Sequence, residues 1–112
     1  MRTRSALLCL ALAVSLCAPF GATGSEMQVH FIDVGQGDAV LVDLGTTEIL
    51  IDGGPGSACI SYIKPFVTEP LELLVATHPD ADHIGGLDDV LQALTVSEIW
   101  LNGDTHTTQT YA

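Results

Sequence analysis

Apolar and polar residues alternate with period two over residues 27–33, which predicts a strand with Met27, Val29 and Phe31 on one face. Gly35, Gln36, Gly37 and Asp38 interrupt the pattern, residues 39–42 resume it, and Gly45, Thr46 and Thr47 form a turn before residues 48–51. Three short strands joined by tight connections predict an antiparallel meander. Asp52 ends the third strand and is followed by Gly53, Gly54, Pro55 and Gly56. Ser57 is placed to cap a short helix that runs to Lys64, where Pro65 limits it. Residues 71–77 form the most apolar run after the first 24 residues and read as a buried strand ending at His78. Leu87, Val90, Leu91 and Leu94 then recur at helical spacing, residues 96–101 read as a further strand, and Thr105 could cap another helix. Strand-rich first and strand–loop–helix–strand afterwards, this order predicts an α/β fold, one mixed sheet with the 87–94 helix packed on it. Leu73, Val75, Leu87 and Leu91 are the expected core residues.

The first 24 residues follow a different pattern. Arg2 and Arg4 precede an uncharged run from Ala6 to Ala18, and Pro19 and the small residues Gly21, Ala22 and Gly24 follow. This is the order of a secretory signal peptide, with cleavage expected before Ser25, and the run is shorter than the roughly 20 residues needed to span a bilayer. The expectation is an exported protein, periplasmic or secreted, with no stable membrane span once the leader is removed. Cys9 and Cys17 leave with the leader, so Cys59 has no intrachain partner and reads as a small buried hydrophobe.

Composition narrows the classes further. The chain is 47% hydrophobic and 15% charged, which excludes a disordered acidic tail. Of its three basic residues only Lys64 lies beyond the leader, against 14 acids. Tight phosphate-driven binding of nucleic acid by this segment alone is therefore disfavoured, and the charge suits solubility or cation binding.

Four potential metal ligands fall within six residues: His78, Asp80, Asp82 and His83. Imidazole and carboxylate together suit Zn²⁺, Mn²⁺ or Fe²⁺, and the C-terminal end of a buried strand is where α/β sites open. The plainer reading has Asp80 or Asp82 capping a helix beside solvated histidines. Two histidines, two acids and the adjoining Gly85 and Gly86 favour metal. The five-residue spacing of the histidines excludes a His-Glu-x-x-His helix, and Ile84 and Leu91 fall where an EF-hand beginning at Asp80 needs ligands.

Three segments together resemble a known family: Phe31-Ile-Asp-Val-Gly-Gln-Gly-Asp-Ala39, Ile51-Asp-Gly-Gly54 and Thr77-His-Pro-Asp-Ala-Asp-His-Ile-Gly-Gly86. They resemble the metallo-β-lactamase fold family, in particular the hydrolase-like domain of competence (ComEC-type) DNA-uptake proteins. The resemblance implies that residues 25–112 form the N-terminal half of an αββα sandwich, an incomplete domain. The family loop His-x-His-x-Asp-His is matched by His78, Asp82 and His83, with Asp80 in place of the middle histidine. It implies His78, Asp80, Asp82 and His83 as ligands of a divalent metal, Zn or Mn, with one or two ions in the complete protein. It also implies Asp82 as the catalytic residue, Asp52 as support for the loop, and Asp33 and Asp38 as turn residues. The family's later ligands have no counterpart, since Asp104 and His106 come too early in the order, so the sequence reads as an N-terminal fragment, inactive by itself. The implied activity is metal-dependent hydrolysis of phosphodiesters or other esters. Nucleic acid is the substrate suggested by the competence branch, whereas the leader and negative charge point away from it. The alternative is a secreted, non-catalytic metal- or partner-binding module of the same fold. The substrate and oligomeric state are left open.

Overall fold

The computed structural model describes Gly24, residues 26–68 and residues 70–105. The leader with its cysteines, the cleavage site at Ser25, His106 and any helix after Thr105 lie outside the described residues. The elements run β1 (Gln28–Phe31), β2 (Val40–Asp43), β3 (Glu48–Ile51), α1 (Ala58–Ile63), β4 (Leu71–Ala76), α2 (Ala81–Ile84), α3 (Leu87–Ala93) and β5 (Val96–Leu101). All five strands form one sheet in sequence order. β1, β2 and β3 pair antiparallel, joined by the loop over residues 32–39 and the short turn over residues 44–47, and the crossovers through α1 and then α2 and α3 make β3, β4 and β5 parallel. The mixed α/β sheet expected from the sequence is present, and so is the packing of α3 against it.

Which face is covered differs from expectation. The helices lie on the face that carries Leu41, Leu50, Leu74 and Ala76, where Cys59, Ile60, Ile63, Leu87 and Val90 complete the core. Leu73 and Val75 point to the opposite face and are only half-buried. Met27, Val29 and Phe31 share that opposite face and are exposed, Phe31 to 83%. No layer covers this apolar face among the described residues, the arrangement expected of one half of a sandwich: helices on one side, an open apolar sheet on the other. Leu91 is also exposed, at 47%, because it lines an open groove of about 390 Å³ between α3 and β5 with Ile99 and Leu101.

Ser57 precedes α1 with helical backbone angles and no side-chain cap hydrogen bond; its carbonyl instead accepts from the N–H and hydroxyl of Ser61. An N-cap side chain reaches the first turn from an extended backbone, which Ser57 does not have. The chain then turns as expected at Lys64 and Pro65. At the sheet's outer edge His30 sits among Tyr62 and Phe66 of the α1 region and pairs its Nδ1 with the Tyr62 hydroxyl at 3.1 Å.

Two polar groups sit deep in the covered layer. Cys59 is fully buried, and burial pushes its thiol up to about 11. Glu48 is fully buried as well, and its carboxylate accepts from the N–H and hydroxyl of Thr68 while its own N–H donates to Glu72. Among the described residues no helix is long and apolar enough to cross a membrane.

Candidate metal centre

The loops that follow β1, β3 and β4 meet at one end of the sheet. β3 and β4 are parallel, so Asp52 and residues 77–80 leave their C-terminal ends side by side, where open α/β sheets place their sites. Asp52 adopts φ 57°, the only non-glycine residue with positive φ among those described. Its N–H still donates to the Val75 carbonyl at 2.8 Å, so the strand ladder reaches the site before the chain turns away. An aspartate held in the left-handed region costs backbone energy, and the surrounding contacts fix it there.

Those contacts are made by its carboxylate, which is almost fully buried. One oxygen accepts from the Thr77 N–H at 2.8 Å. The other accepts from the Thr77 hydroxyl at 2.6 Å and faces His83 Nδ1 at 3.1 Å. A carboxylate can only accept, so His83 Nδ1 is the donor of this pair, and in the neutral imidazole the lone pair lies on Nε2. Asp38 also approaches His83 Nδ1, at 3.7 Å, but lies beyond hydrogen-bond distance and is largely exposed.

His83 belongs to α2, a single turn where the sequence reads as loop. Asp80 is its N-cap residue in extended conformation and makes no side-chain cap hydrogen bond, and Asp82 lies in the first turn. The helix-capping alternative for Asp80 is therefore not what the side chain does at this turn. Its carboxylate lies 3.6 Å from His78 Nε2, while that of Asp82 lies 3.8 Å from His83 Nε2. The two imidazoles sit 3.7 Å apart, centroid to centroid. Donor atoms of Asp52, His78 and His83 all fall within 4.8 Å of one another.

Of the four loop residues singled out in the sequence, His78 and His83 come together in this group, while Asp80 lies beside His78 and Asp82 beside His83 without joining it. Asp52 joins the two histidines, and its oxygens already accept from Thr77 and His83, an arrangement that suits a supporting role. The donor set suits a divalent cation: two imidazoles flanked by two half-exposed carboxylates. Asp33 holds a turn, its carboxylate accepting the Gly35 N–H at 3.2 Å. Asp38 contributes through its backbone, donating its N–H to the Asp82 carbonyl at 3.3 Å and accepting the Gly54 N–H at 2.9 Å. Asp104 exchanges hydrogen bonds with Asn102 and lines the apolar groove whose near end is His78. Thr77 is the residue that sequence reasoning missed. It closes an apolar run, and its only signal is its place directly before the first histidine.

Residues 32–109 match the Metallo-beta-lactamase superfamily, a span that takes in the three loops and both histidines. The chain is also similar to "Recombination protein 2" of Haemophilus influenzae (strain ATCC 51907 / DSM 11121 / KW20 / Rd), with 38% identity over 73 residues. The match covers 59% of this chain and 9% of that protein's length.

Proposed function

The chain belongs to the metallo-beta-lactamase superfamily, and on that premise we propose that it carries the first part of a metal-dependent hydrolase site, acting on phosphodiesters or other esters. The observation that supports this reading most is the pair of imidazoles 3.7 Å apart, one braced by the buried carboxylate of Asp52 and both flanked by acids. His78, Asp80, Asp82 and His83 would hold a divalent cation, Zn or Mn, with Asp52 orienting His83 from behind. When bound, such a cation supplies Lewis acidity and lowers the pKa of a coordinated water from about 16 towards 7. Asp82, half-exposed beside His83, is placed to orient the attacking water and to hold its proton. Asp80 in place of a histidine makes the donor set harder and favours Mn²⁺ more than a histidine at that position would.

A catalytic zinc site takes three protein ligands and an open position. Four ligands from one short loop, divided between two neighbouring positions, give each about two. The complete site therefore draws on further ligands, and residues 25–112 alone bind metal weakly and turn over no substrate. The similarity to Recombination protein 2 makes nucleic acid a candidate substrate, whereas the scarcity of cations after the leader favours a small or uncharged ester. The leader adds export, with Ser25 as the new N-terminus.

The test is metal titration and turnover of bis(p-nitrophenyl) phosphate and single-stranded DNA by the longest product of the gene. Metal-dependent turnover that His78→Ala and Asp82→Ala both abolish is expected. Metal binding without turnover would favour the non-catalytic module, and no metal binding at all would overturn the reading.

A further inference from the structure

We propose that Thr77 is a positioning residue that sets the tautomer of His78, so that one buried carboxylate, Asp52, leaves the Nε2 lone pairs of both histidines available to a cation. This inference rests on the metal-centre reading above and specifies how the centre is made ready before any cation arrives.

The assignment follows from counting protons. Thr77 has one hydroxyl proton, and at 2.6 Å from the Asp52 carboxylate that proton is donated to Asp52. The Thr77 oxygen then has only lone pairs left for its second neighbour, His78 Nδ1, at 2.9 Å. His78 must therefore be the donor, with a proton on Nδ1 and, in the neutral imidazole, a lone pair on Nε2. His83 reaches the same state by direct donation of Nδ1–H to the same carboxylate oxygen. The two histidines are thus treated alike by different routes, one directly and one through a hydroxyl.

Geometry makes the relay rigid where it matters. Thr77 itself is exposed, yet its hydroxyl is aimed by a carboxylate that water barely reaches, and its N–H is held by the other oxygen of the same group. A free imidazole favours the proton on Nε2, the atom that faces Asp80 at 3.6 Å. Without Thr77, His78 would relax towards that form, and its Nε2–H would be drawn to Asp80. Binding a cation through Nε2 would then require a change of tautomer first.

Two-bond ¹H–¹⁵N correlation spectra of the metal-free full chain, at a pH where both imidazoles are neutral, read the tautomers directly. In the wild type both His78 and His83 are expected in the Nδ1–H form. Thr77→Val, which keeps the shape and removes the hydroxyl, should convert His78 to the Nε2–H form, leave His83 unchanged, and weaken Zn²⁺ binding about 10–100-fold. Thr77→Ser restores the hydroxyl and should return both the His78 pattern and the affinity. A wild-type His78 in the Nε2–H form, or a Thr77→Val spectrum with His78 unchanged, overturns the proposal. The wild-type spectrum decides it even if the valine variant does not fold. A wild type that takes up no Zn²⁺ refutes the metal centre, while the tautomer assignment still stands or falls on the spectra.

Discussion

Replacing Asp52 with alanine removes the acceptor for three donors at once: the Thr77 N–H, the Thr77 hydroxyl and the His83 Nδ1–H. A donor left without a partner costs about 1–3 kcal/mol when buried, and more when the lost acceptor was charged. Thr77 is exposed, so water can replace part of what it loses, and its two donors belong at the low end of that range. The His83 side chain is only 14% exposed, so its donor is stranded more completely. The backbone adds a separate contribution, because alanine has no local hydrogen bond to offset the left-handed conformation at φ 57°, about 1 kcal/mol. The total is about 4–6 kcal/mol, against roughly 4–12 kcal/mol for a domain of this size.

Urea denaturation measures this directly. With a slope of about 1 kcal/mol/M for a small domain, Asp52→Ala should lower the midpoint by about 4 M or more, or leave no folded baseline. Asp52→Asn separates the contributions: asparagine tolerates positive φ and keeps one acceptor oxygen, yet turns an N–H₂ towards a donor. It should fall between wild type and alanine, at about 1–3 kcal/mol. An alanine variant within about 0.5 kcal/mol of wild type would refute the reasoning, and so would an asparagine variant as damaged as alanine.

Gly37 has φ 123°, and a Cβ there would stand 1.8 Å from the Asp82 carbonyl oxygen, so Gly37→Ala should push the two loops apart and weaken divalent-metal binding at least about tenfold by titration. Cys59 should resist alkylation in the native state. Its thiol pKa is raised from 9.0 to about 11, so the stability that burial of the neutral thiol supports is intact below pH 9 and lost as the pH rises to 11, a fall of about 2–3 kcal/mol that Cys59→Ala should abolish in denaturation curves against pH. Thr68→Val strips both carboxylate oxygens of Glu48 of a hydroxyl donor and should cost about 1–2 kcal/mol by urea denaturation, with Thr68→Ser close to wild type.

The order of elements was legible because each strand carries its own punctuation: paired glycines, Gly45 with the threonines, and Pro65. The covered face was not. Period two separates the two faces of a strand without saying which one meets the helices, and in β1 the more apolar set, Met27, Val29 and Phe31, is the uncovered one. The decisive signal lies in β3, where Glu48 shares its face with Leu50. A buried glutamate there follows from the alternation, but only once Thr68 is seen to supply its donors. The site residues were legible as a cluster, since four ligand types within six positions need no fold to be noticed. Their division of labour was not, because it rests on hydrogen bonds from Asp52 after β3 to Thr77 after β4 and to His83 in α2, 25 and 31 residues apart in the chain. Helix α2 escaped for a simpler reason: four residues are too few to show a period.

The glycines of the three motifs acquire a common explanation from the same geometry. Gly53 donates its N–H to the His83 carbonyl at 2.7 Å, Gly86 to Gly54 at 2.7 Å, Gly54 to Asp38 at 2.9 Å, and Asp38 to Asp82 at 3.3 Å. These four backbone bonds tie the loops after β1, β3 and β4 to one another. The approach is close enough that a Cβ on Gly86 would lie 2.2 Å from the Gly53 oxygen. The three loops are therefore held by main chain and by Asp52 with its partners Thr77 and His83, not by the side chains of His78, Asp80 or Asp82. It follows that His78→Ala and Asp82→Ala should leave the urea midpoint within about 1 kcal/mol of wild type while removing metal binding, because neither side chain bridges two loops. Loss of fold in either variant would mean that the ligands themselves hold the site together, and the separation between scaffold and chemistry argued from these four bonds would be wrong.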